Sequence, residues 1–174
     1  TSPRLMAMIS DVLHRSVHSL RTLMIDLYPP DLTAAGLGVA VHGLAAKLRS
    51  DAEMRVDVTV DLAVDPSPET AAMLYRCVRE CLDNIAKHAQ ASYAELVIIG
   101  DTESVSLDLR DDGIGLPATG IDRRSEGHFG LRLLCDAADD LGGRMRVYSR
   151  ADGGTAIDLT VPTAGASTSG ASHY

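Results

Sequence analysis

The sequence is poor in aromatic residues. Its 174 residues include one Phe, five Tyr and no Trp, an aromatic fraction of 3%, although 45% of the residues are hydrophobic. A chain of this length can bury one sizeable core. That core must be aliphatic, built from Leu, Val, Ile, Ala and Met, and we expect one compact domain with flanking segments.

Long apolar runs and an excess of positive charge are also lacking. No stretch is long and apolar enough to span a bilayer, and no signal peptide is recognisable. The formal net charge is −8, whereas a surface that coats nucleic acid or an anionic membrane needs a basic field. We therefore expect no nucleic acid and no membrane contact, and any anionic ligand must be captured locally.

Cysteine is scarce. Cys77, Cys81 and Cys135 form no CxxC motif, and the first two lie within a helical pattern among apolar residues. Buried reduced thiols are the favoured interpretation, and zinc at the i,i+4 pair is the alternative, although further ligands for it are missing. Free thiols predict a cytoplasmic setting. Because the chain begins at Thr1 rather than Met, we expect it to be part of a longer protein.

Hydrophobic periodicity divides the chain into helices and strands. Three- and four-residue spacing predicts helices over 8–27, 34–48, 69–89 and 131–141, and alternation predicts strands over 54–62, 95–99, 105–109, 144–149 and 155–161. The prediction of the second helix is weakened by its glycines, because glycine is unfavourable inside a helix. These glycines are Gly36, Gly38 and Gly43. Gly142 and Gly143 stand where a helix C-terminal stop is expected.

The predicted helix over 69–89 carries polar groups on one face. At about 100° per residue, Glu80, Asn84, Lys87 and His88 fall on that face, opposite an apolar one. Such a row suits a metal–nucleotide complex, because an amide oxygen can ligate Mg²⁺, a lysine can meet phosphate and a carboxylate can deprotonate or orient a reacting group. Taken alone, however, the row is better explained as the solvated face of an amphipathic helix.

Two glycine clusters follow. Asp111 ends a predicted strand just before Gly113 and Gly115, while Gly127 and Gly130 precede the last helix. Glycine lets backbone amides approach a ligand, and the N-terminal amides of a helix can hold phosphate despite the acidic net charge. Each cluster alone is explained equally well by an ordinary turn.

Together these segments resemble the nucleotide-binding boxes of sensor histidine kinases. Residues 80–89, ECLDNIAKHA, resemble the N box, residues 111–116, DDGIGL, the G1 box, and residues 127–131, GHFGL, the G2 box. Residues 153–155, GGT, resemble the step that closes the nucleotide site. The order and spacing match across about residues 34–162.

The N-terminal part narrows the resemblance to the nitrate-sensor and DesK-like kinases. Residues 20–37 are similar to the end of the dimerisation helix and its junction with the ATPase domain, and the segment between the G1 and G2 boxes is similar to the small ATP lid of this subgroup. We therefore expect residues 1–30 to be the last helix of the dimerisation segment, 31–162 the ATP-binding domain and 163–174 a disordered tail.

The chain departs from this subgroup in two places. The phosphoacceptor box, a histidine followed by aspartate, is missing, because His14 precedes Arg15 and His18 precedes Ser19. Residues 131–136, LRLLCD, also depart from the arginine-glutamate-arginine pattern common after the G2 box. Because the phosphoacceptor box is missing, we expect the chain alone not to phosphorylate itself. The sequence leaves undecided which surface of the last helix takes part in regulation.

The resemblance implies an α/β fold, the Bergerat-type two-layer sandwich in which helices back a mixed sheet, preceded here by the dimerisation helix. It also implies the adenine contacts. Asp111 accepts a hydrogen bond from the adenine amino group, Gly113 and Gly115 admit the base, and Thr155 supports Asp111 or an intervening water.

The phosphate contacts are implied in the same way. Asn84 ligates Mg²⁺, Lys87 contacts phosphate, and Glu80 is the general base or orienting carboxylate. His88 either joins the site or only packs on the helix surface. The segment that wraps the triphosphate comprises Gly127, His128, Phe129, Gly130 and Leu131.

The implied function is that of a protein-histidine kinase with ATP or ADP and Mg²⁺ as ligands. The γ-phosphoryl group of ATP passes to a histidine on the protein's own dimerisation helix and then to an aspartate of a response regulator, within a homodimeric full-length protein. Whether that protein is bound to a membrane stays open.

Two other functions remain open. A non-kinase nucleotide-binding switch, such as an anti-sigma-like module, would use the same ATP site, but an N-terminal dimerisation helix is expected only in a kinase. A gyrase-like ATP-driven clamp is less favoured, because the chain has no room for a transducer domain.

Overall fold

The computed structural model describes residues 30–52, 54–116 and 129–164. In chain order the elements are α1 (Pro30–Ala52), β1 (Arg55–Leu62), α2 (Pro68–Asn84), a π-helical turn (Ile85–Ala89), β2 (Tyr93–Gly100), β3 (Ser104–Asp111), α3 (Phe129–Asp140), β4 (Arg144–Ser149) and β5 (Thr155–Pro162). The helix predicted over 8–27 lies outside the described residues, and so does nearly all of the predicted tail.

The five strands form one mixed sheet in the order β1-β2-β3-β5-β4. β1 and β2 are parallel, and the other three pairs are antiparallel. Burial alternates along the central strands, as expected when one face of a sheet is covered. The covered face carries Ala94, Leu96, Ile98, Val105, Leu107 and Leu109.

The three helices pack against this face, so the two-layer α/β sandwich is confirmed. The core is almost wholly aliphatic, as the composition predicts, with Tyr75 as its aromatic member. The opposite face of the sheet is polar and carries surface ion pairs, two of them within single strands and one between β4 and β5. These are Arg55 with Asp57, Arg110 with Asp108, and Arg146 with Asp158.

Helix α2 begins at a polar cap. The Ser67 hydroxyl accepts a hydrogen bond from the backbone N–H of Thr70 at 3.2 Å, and Pro68 occupies the first turn. The buried Thr70 hydroxyl donates to the carbonyl of Pro162 at 2.8 Å, which ties the helix to the end of β5. The predicted apolar face is confirmed, because Leu74, Val78, Leu82, Ile85 and Ala89 are all buried.

The other predicted elements are confirmed with ends shifted by a few residues. The main difference is in α1, where Gly36 has φ +78° and ψ 168° and interrupts the helical backbone. The regular part therefore begins near Leu37, and it buries Val41 and Ala45 as predicted. Gly142 closes α3 with φ +76°.

The cysteines at 77 and 81 are buried thiols on consecutive turns of α2, with the two sulfur atoms 3.9 Å apart. Contact with Cys77, followed by burial, raises the pKa of Cys81 well above its ordinary value. Cys135 is half-buried, and loss of solvation raises its pKa. Within the described ranges, no helix has the length and apolar character needed to cross a bilayer.

Candidate nucleotide site

Asp111 is the last residue of β3, and its side chain points to the helix-covered face, where the residue is 2% exposed. Its Oδ1 accepts a hydrogen bond from the backbone N–H of Gly113 at 2.8 Å. Among the described residues this is the one hydrogen bond that reaches the carboxylate. No fully buried side-chain oxygen of the described residues lacks a hydrogen-bond partner, so the second oxygen, Oδ2, keeps some accessible surface and is suited to a donor on a ligand.

The loop after β3 lies directly against the end of the long helix. The backbone N–H of Ile114 donates to the carbonyl of Ala89 at 2.9 Å. A Cβ at Gly113 would overlap that carbonyl oxygen and lie 2.8 Å from Oδ1 of Asp111. Gly113 is therefore required by this close approach even before a ligand is considered, and its admission of the base stays a prediction.

Gly115 and Leu116 contact the end of β4. Gly115 has φ +76°, and a Cβ there would lie 3.1 Å from the carbonyl oxygen of Gly154. The backbone N–H of Leu116 donates to the Ser149 hydroxyl at 2.9 Å. Sequence reasoning missed Ser149, which pairs with Thr155 in the β4–β5 ladder and reaches the loop only through the tertiary fold.

The turn between β4 and β5 covers Asp111. Gly154 has φ +82°, and a Cβ on it would overlap the backbone carbonyl of Asp111. The Arg150 guanidinium donates to the same carbonyl oxygen at 3.2 Å and pairs with Asp152. No hydrogen bond joins Thr155 to Asp111 within the described part of the chain, so the supporting role of Thr155 stays a prediction.

Asp112 has a different task from its neighbour. Its carboxylate accepts hydrogen bonds from the backbone N–H and hydroxyl of Ser92, at 2.8 and 2.6 Å, and from the backbone N–H of Tyr93 at 2.9 Å. The Ser92 hydroxyl and the Tyr93 amide lower the pKa of the Asp112 carboxyl. Asp112 thus holds the start of β2, a role that the sequence alone did not indicate.

Glu80 and Asn84 form a pair on consecutive turns of α2. Both are half-buried, and the Asn84 amide nitrogen donates to Glu80 Oε1 at 3.4 Å. This orientation leaves the amide oxygen of Asn84 free to ligate a cation. A carboxylate and an amide oxygen are ligands of the kind that Mg²⁺ accepts.

Lys87 and His88 lie in the π-helical turn that follows. Both are exposed, and Lys87 Nζ is 3.7 Å from Asp83 Oδ2 in a surface ion pair. The turn ends at Gln90, which has a left-handed backbone with φ 51°. π-Helical turns are rare and are found mostly at functional sites. The structure thus separates the predicted polar row into an inward pair and an exposed pair.

The first turn of α3 meets Glu80. A Cβ at Gly130 would overlap Glu80 Oε1, lie 2.5 Å from Cδ and lie 3.1 Å from Oε2. The Glu80 carboxylate therefore occupies the space beside a residue that has no side chain. This contact places the two predicted boxes side by side.

The rest of the predicted triphosphate segment is only partly described. Leu131 is 5% exposed and packs into the core, so only its backbone can face a ligand. Phe129 is described as the first backbone position of α3, while Gly127 and His128 lie outside the described residues. Within the described ranges, no group of three or more His, Cys, Asp or Glu side chains forms a metal cluster.

Comparison with known proteins gives a family match over this region. The family profile described as "Histidine kinase-, DNA gyrase B-, and HSP90-like ATPase" matches residues 69–165. The matched range covers more than half of the chain. It contains nearly all of α2, the loop after β3, α3 and the β4–β5 turn, which carry most of the predicted site residues.

Two curated relatives with similar sequences are sensor proteins. The nitrate/nitrite sensor protein NarX of Escherichia coli K12 is 31% identical over 163 residues, which cover 92% of this chain and 26% of NarX. The sensor histidine kinase NarS of Mycobacterium tuberculosis is 30% identical over 144 residues, which cover 82% of this chain and 33% of NarS. The chain thus spans a third or less of the length of these curated relatives.

A solved structure supports the fold. The blue-light activated histidine kinase of Erythrobacter litoralis EL346 superposes with a TM-score of 0.62 at 24% sequence identity. The superposition covers 92% of this chain and 59% of that chain.

Proposed function

The chain belongs to the histidine kinase-, DNA gyrase B- and HSP90-like ATPases, as an ATP-binding catalytic domain of the sensor histidine kinase type, and we propose that it catalyses histidine phosphorylation with Mg-ATP. The observation that carries the proposal is that the loop after Asp111 packs against the π-helical turn that continues the helix of Glu80 and Asn84. Asp111 joins that helix through Gly113 and the Ile114 to Ala89 hydrogen bond. The proposed base-binding acceptor and the proposed phosphate-binding pair thus lie on elements that are in direct contact.

The adenine half of the site is built around Asp111. Its free carboxylate oxygen accepts the exocyclic amino group of adenine, while Gly113 and Gly115 leave room for the ring. Gly154 and Arg150 hold the backbone of Asp111 from the other side. Because the carboxylate is buried and fixed, this hydrogen bond discriminates against a base that presents an acceptor there.

The phosphate half lies between α2 and α3. The oxygen of Asn84 ligates Mg²⁺, which would neutralise charge on the phosphates during transfer. Lys87 reaches the phosphates by leaving its weak surface pair with Asp83, a pair of the exposed kind that stabilises little. The first turn of α3 lies beside Glu80, and its N-terminal amides would favour an anion there.

Glu80 acts on the reacting group. In the proposed step, a nitrogen of the acceptor imidazole forms a bond to the γ-phosphorus, and the bond between that phosphorus and the bridging oxygen breaks. ADP leaves with the bond electrons, and Glu80 accepts or orients the imidazole proton. Positioning and electrostatics supply most of the rate enhancement.

The acceptor histidine and its relay belong to the parent protein. We propose that the histidine lies on the dimerisation helix of a homodimer and passes its phosphoryl group to an aspartate of a response regulator. The similarity to a nitrate/nitrite sensor and to a sensor histidine kinase supports this relay.

Two measurements test the proposal. Titration calorimetry with ATP should show one site whose affinity rises when Mg²⁺ is present. Radiolabelled ATP should label a separate protein that supplies the first dimerisation helix and its histidine, with acid-labile and alkali-stable label. ATP binding without any transfer to such a protein would favour a nucleotide-binding switch, and the absence of ATP binding would refute the assignment of the site.

A further inference from the structure

Gly130 and Glu80 fit together at the contact between α2 and α3. A side chain on Gly130 would occupy the position of the Glu80 carboxylate, because its Cβ would overlap Oε1 and lie 2.5 Å from Cδ. Among the described residues, the hydrogen-bond partner of that carboxylate is the Asn84 amide, at 3.4 Å. Glu80 is thus bounded by Asn84 along its own helix and by Gly130 across the helix interface.

Other helical glycines in the chain do not show this fit. Gly43 in α1 has open space where its Cβ would be, with no atom within 4 Å. Glycine weakens a helix relative to alanine, so a glycine in the first turn of α3 needs a compensating reason. At Gly130 the reason visible in the structure is the adjacent carboxylate.

We propose that Gly130 is a positioning residue for Glu80. Because Gly130 has no side chain, the Glu80 carboxylate can lie beside the first turn of α3. A displacement of that turn therefore changes the space available to the Glu80 carboxylate. This inference rests on the proposed function for the role of Glu80 in phosphoryl transfer. Gly130 would then have this positioning role in addition to its predicted contact with the triphosphate.

The packing part of the proposal is tested by a thermal-unfolding cycle that needs no activity. Gly130→Ala should lower the unfolding midpoint by no more than about 2–4 °C, because the added methyl group overlaps the far end of a flexible side chain, which can turn away. In a Glu80→Ala background the same change should cause no loss, since the carboxylate is gone and alanine favours the helix. Gly43→Ala is the matched control and should shift the midpoint equally in both backgrounds. An equal effect of Gly130→Ala in both backgrounds would overturn the proposal.

The positioning part is tested by size complementation. Glu80→Asp shortens the side chain by one methylene and withdraws the carboxylate from Gly130. Gly130→Ala alone should slow transfer to the separate histidine-bearing protein by tenfold or more, on the order of the loss for a displaced general base. Adding Glu80→Asp to Gly130→Ala should then recover transfer several-fold, although Glu80→Asp alone slows the parent protein.

The two tests separate the two claims. Additive losses in the double variant would overturn the positioning role, even if the parent protein transfers phosphate well. A coupled unfolding cycle in a parent protein that binds ATP but never transfers phosphate would overturn the proposed kinase function and would support the Gly130–Glu80 fit.

Discussion

Replacing Asp111 by Asn changes one buried carboxylate oxygen into an NH₂ group. In the folded protein Oδ1 accepts from the Gly113 amide at 2.8 Å, and the Asn oxygen can keep that bond. The new NH₂ group then stands where the adenine amino group is proposed to bind. Two donors face each other in a site where Asp111 is 2% exposed.

The magnitude follows from this geometry. One hydrogen bond to a charged acceptor is lost, and a buried donor is left mispaired, which costs about 1–3 kcal/mol. That cost weakens ATP binding by about 5- to 150-fold. Stability of the unliganded protein should change less than binding does, because the Gly113 bond is retained.

The assay is titration calorimetry with Mg-ATP on the parent protein and on the variant, after circular dichroism has shown that both are folded. Asp112→Asn is the matched control, because the same chemical change is made one residue away. The Asp112 carboxylate holds Ser92 and Tyr93 and faces no proposed ligand atom. Its replacement should reduce stability and leave ATP affinity unchanged.

Two results would refute this reasoning. Unchanged ATP affinity in folded Asp111→Asn would remove Asp111 from the adenine contact. An equal loss of ATP affinity in both variants would mean that binding depends on the general structure of this edge of the sheet and not on the Asp111 carboxylate in particular.

Three further predictions concern the same region. Asn84→Ala should weaken Mg²⁺-dependent ATP binding in calorimetry. Glu80→Gln should still bind the nucleotide but should transfer the phosphoryl group about 10²- to 10⁴-fold more slowly. An equal loss of ATP binding in both variants would mean that Glu80 has a structural role. Gly154→Ala should destabilise the protein by about 1–3 kcal/mol in urea unfolding, because the added Cβ overlaps the Asp111 carbonyl; an unchanged midpoint would contradict the close packing. The pKa of Asp112 is lowered in the folded protein, so its stabilising contribution is present above about pH 4 and is lost as the pH falls through the folded pKa. Asp112→Asn should therefore flatten the acid limb of the stability profile, and an unaltered limb would refute the assignment.

Local periodicity accounts for the elements that the sequence predicts well. The buried face of α2 can be predicted from the three- and four-residue spacing of its apolar residues alone. The buried residues of β2 and β3 can be predicted from the alternation of apolar and polar residues alone. The hydrogen bond of Gly113 to Asp111 is likewise local, since the acid ends a strand and the glycine follows two residues later. These features were predictable because each depends on neighbours within one turn or one strand.

Other features depend on contacts between distant segments. The order of β5 and β4 in the sheet, the contact of Gly130 with Glu80 and the bonds of Asp112 to Ser92 join residues far apart in sequence. The π-helical turn after Asn84 departs from the uniform 100° geometry on which the predicted polar row rests. Lys87 within that turn is exposed beside Asp83, whereas Asn84 just before it is half-buried.

The two halves of the site are joined by backbone rather than by side chains. The Ala89 carbonyl, at the end of the π-helical turn, accepts the Ile114 N–H from the loop that carries Gly113. Because this hydrogen bond involves main-chain atoms, side-chain substitutions leave its donor and acceptor in place, and only a shift of the turn or of the loop can break it. The proposed phosphate-binding end of α2 and the proposed adenine-binding end of β3 are therefore linked by a main-chain hydrogen bond. α3 meets the same helix through the contact of Gly130 with Glu80.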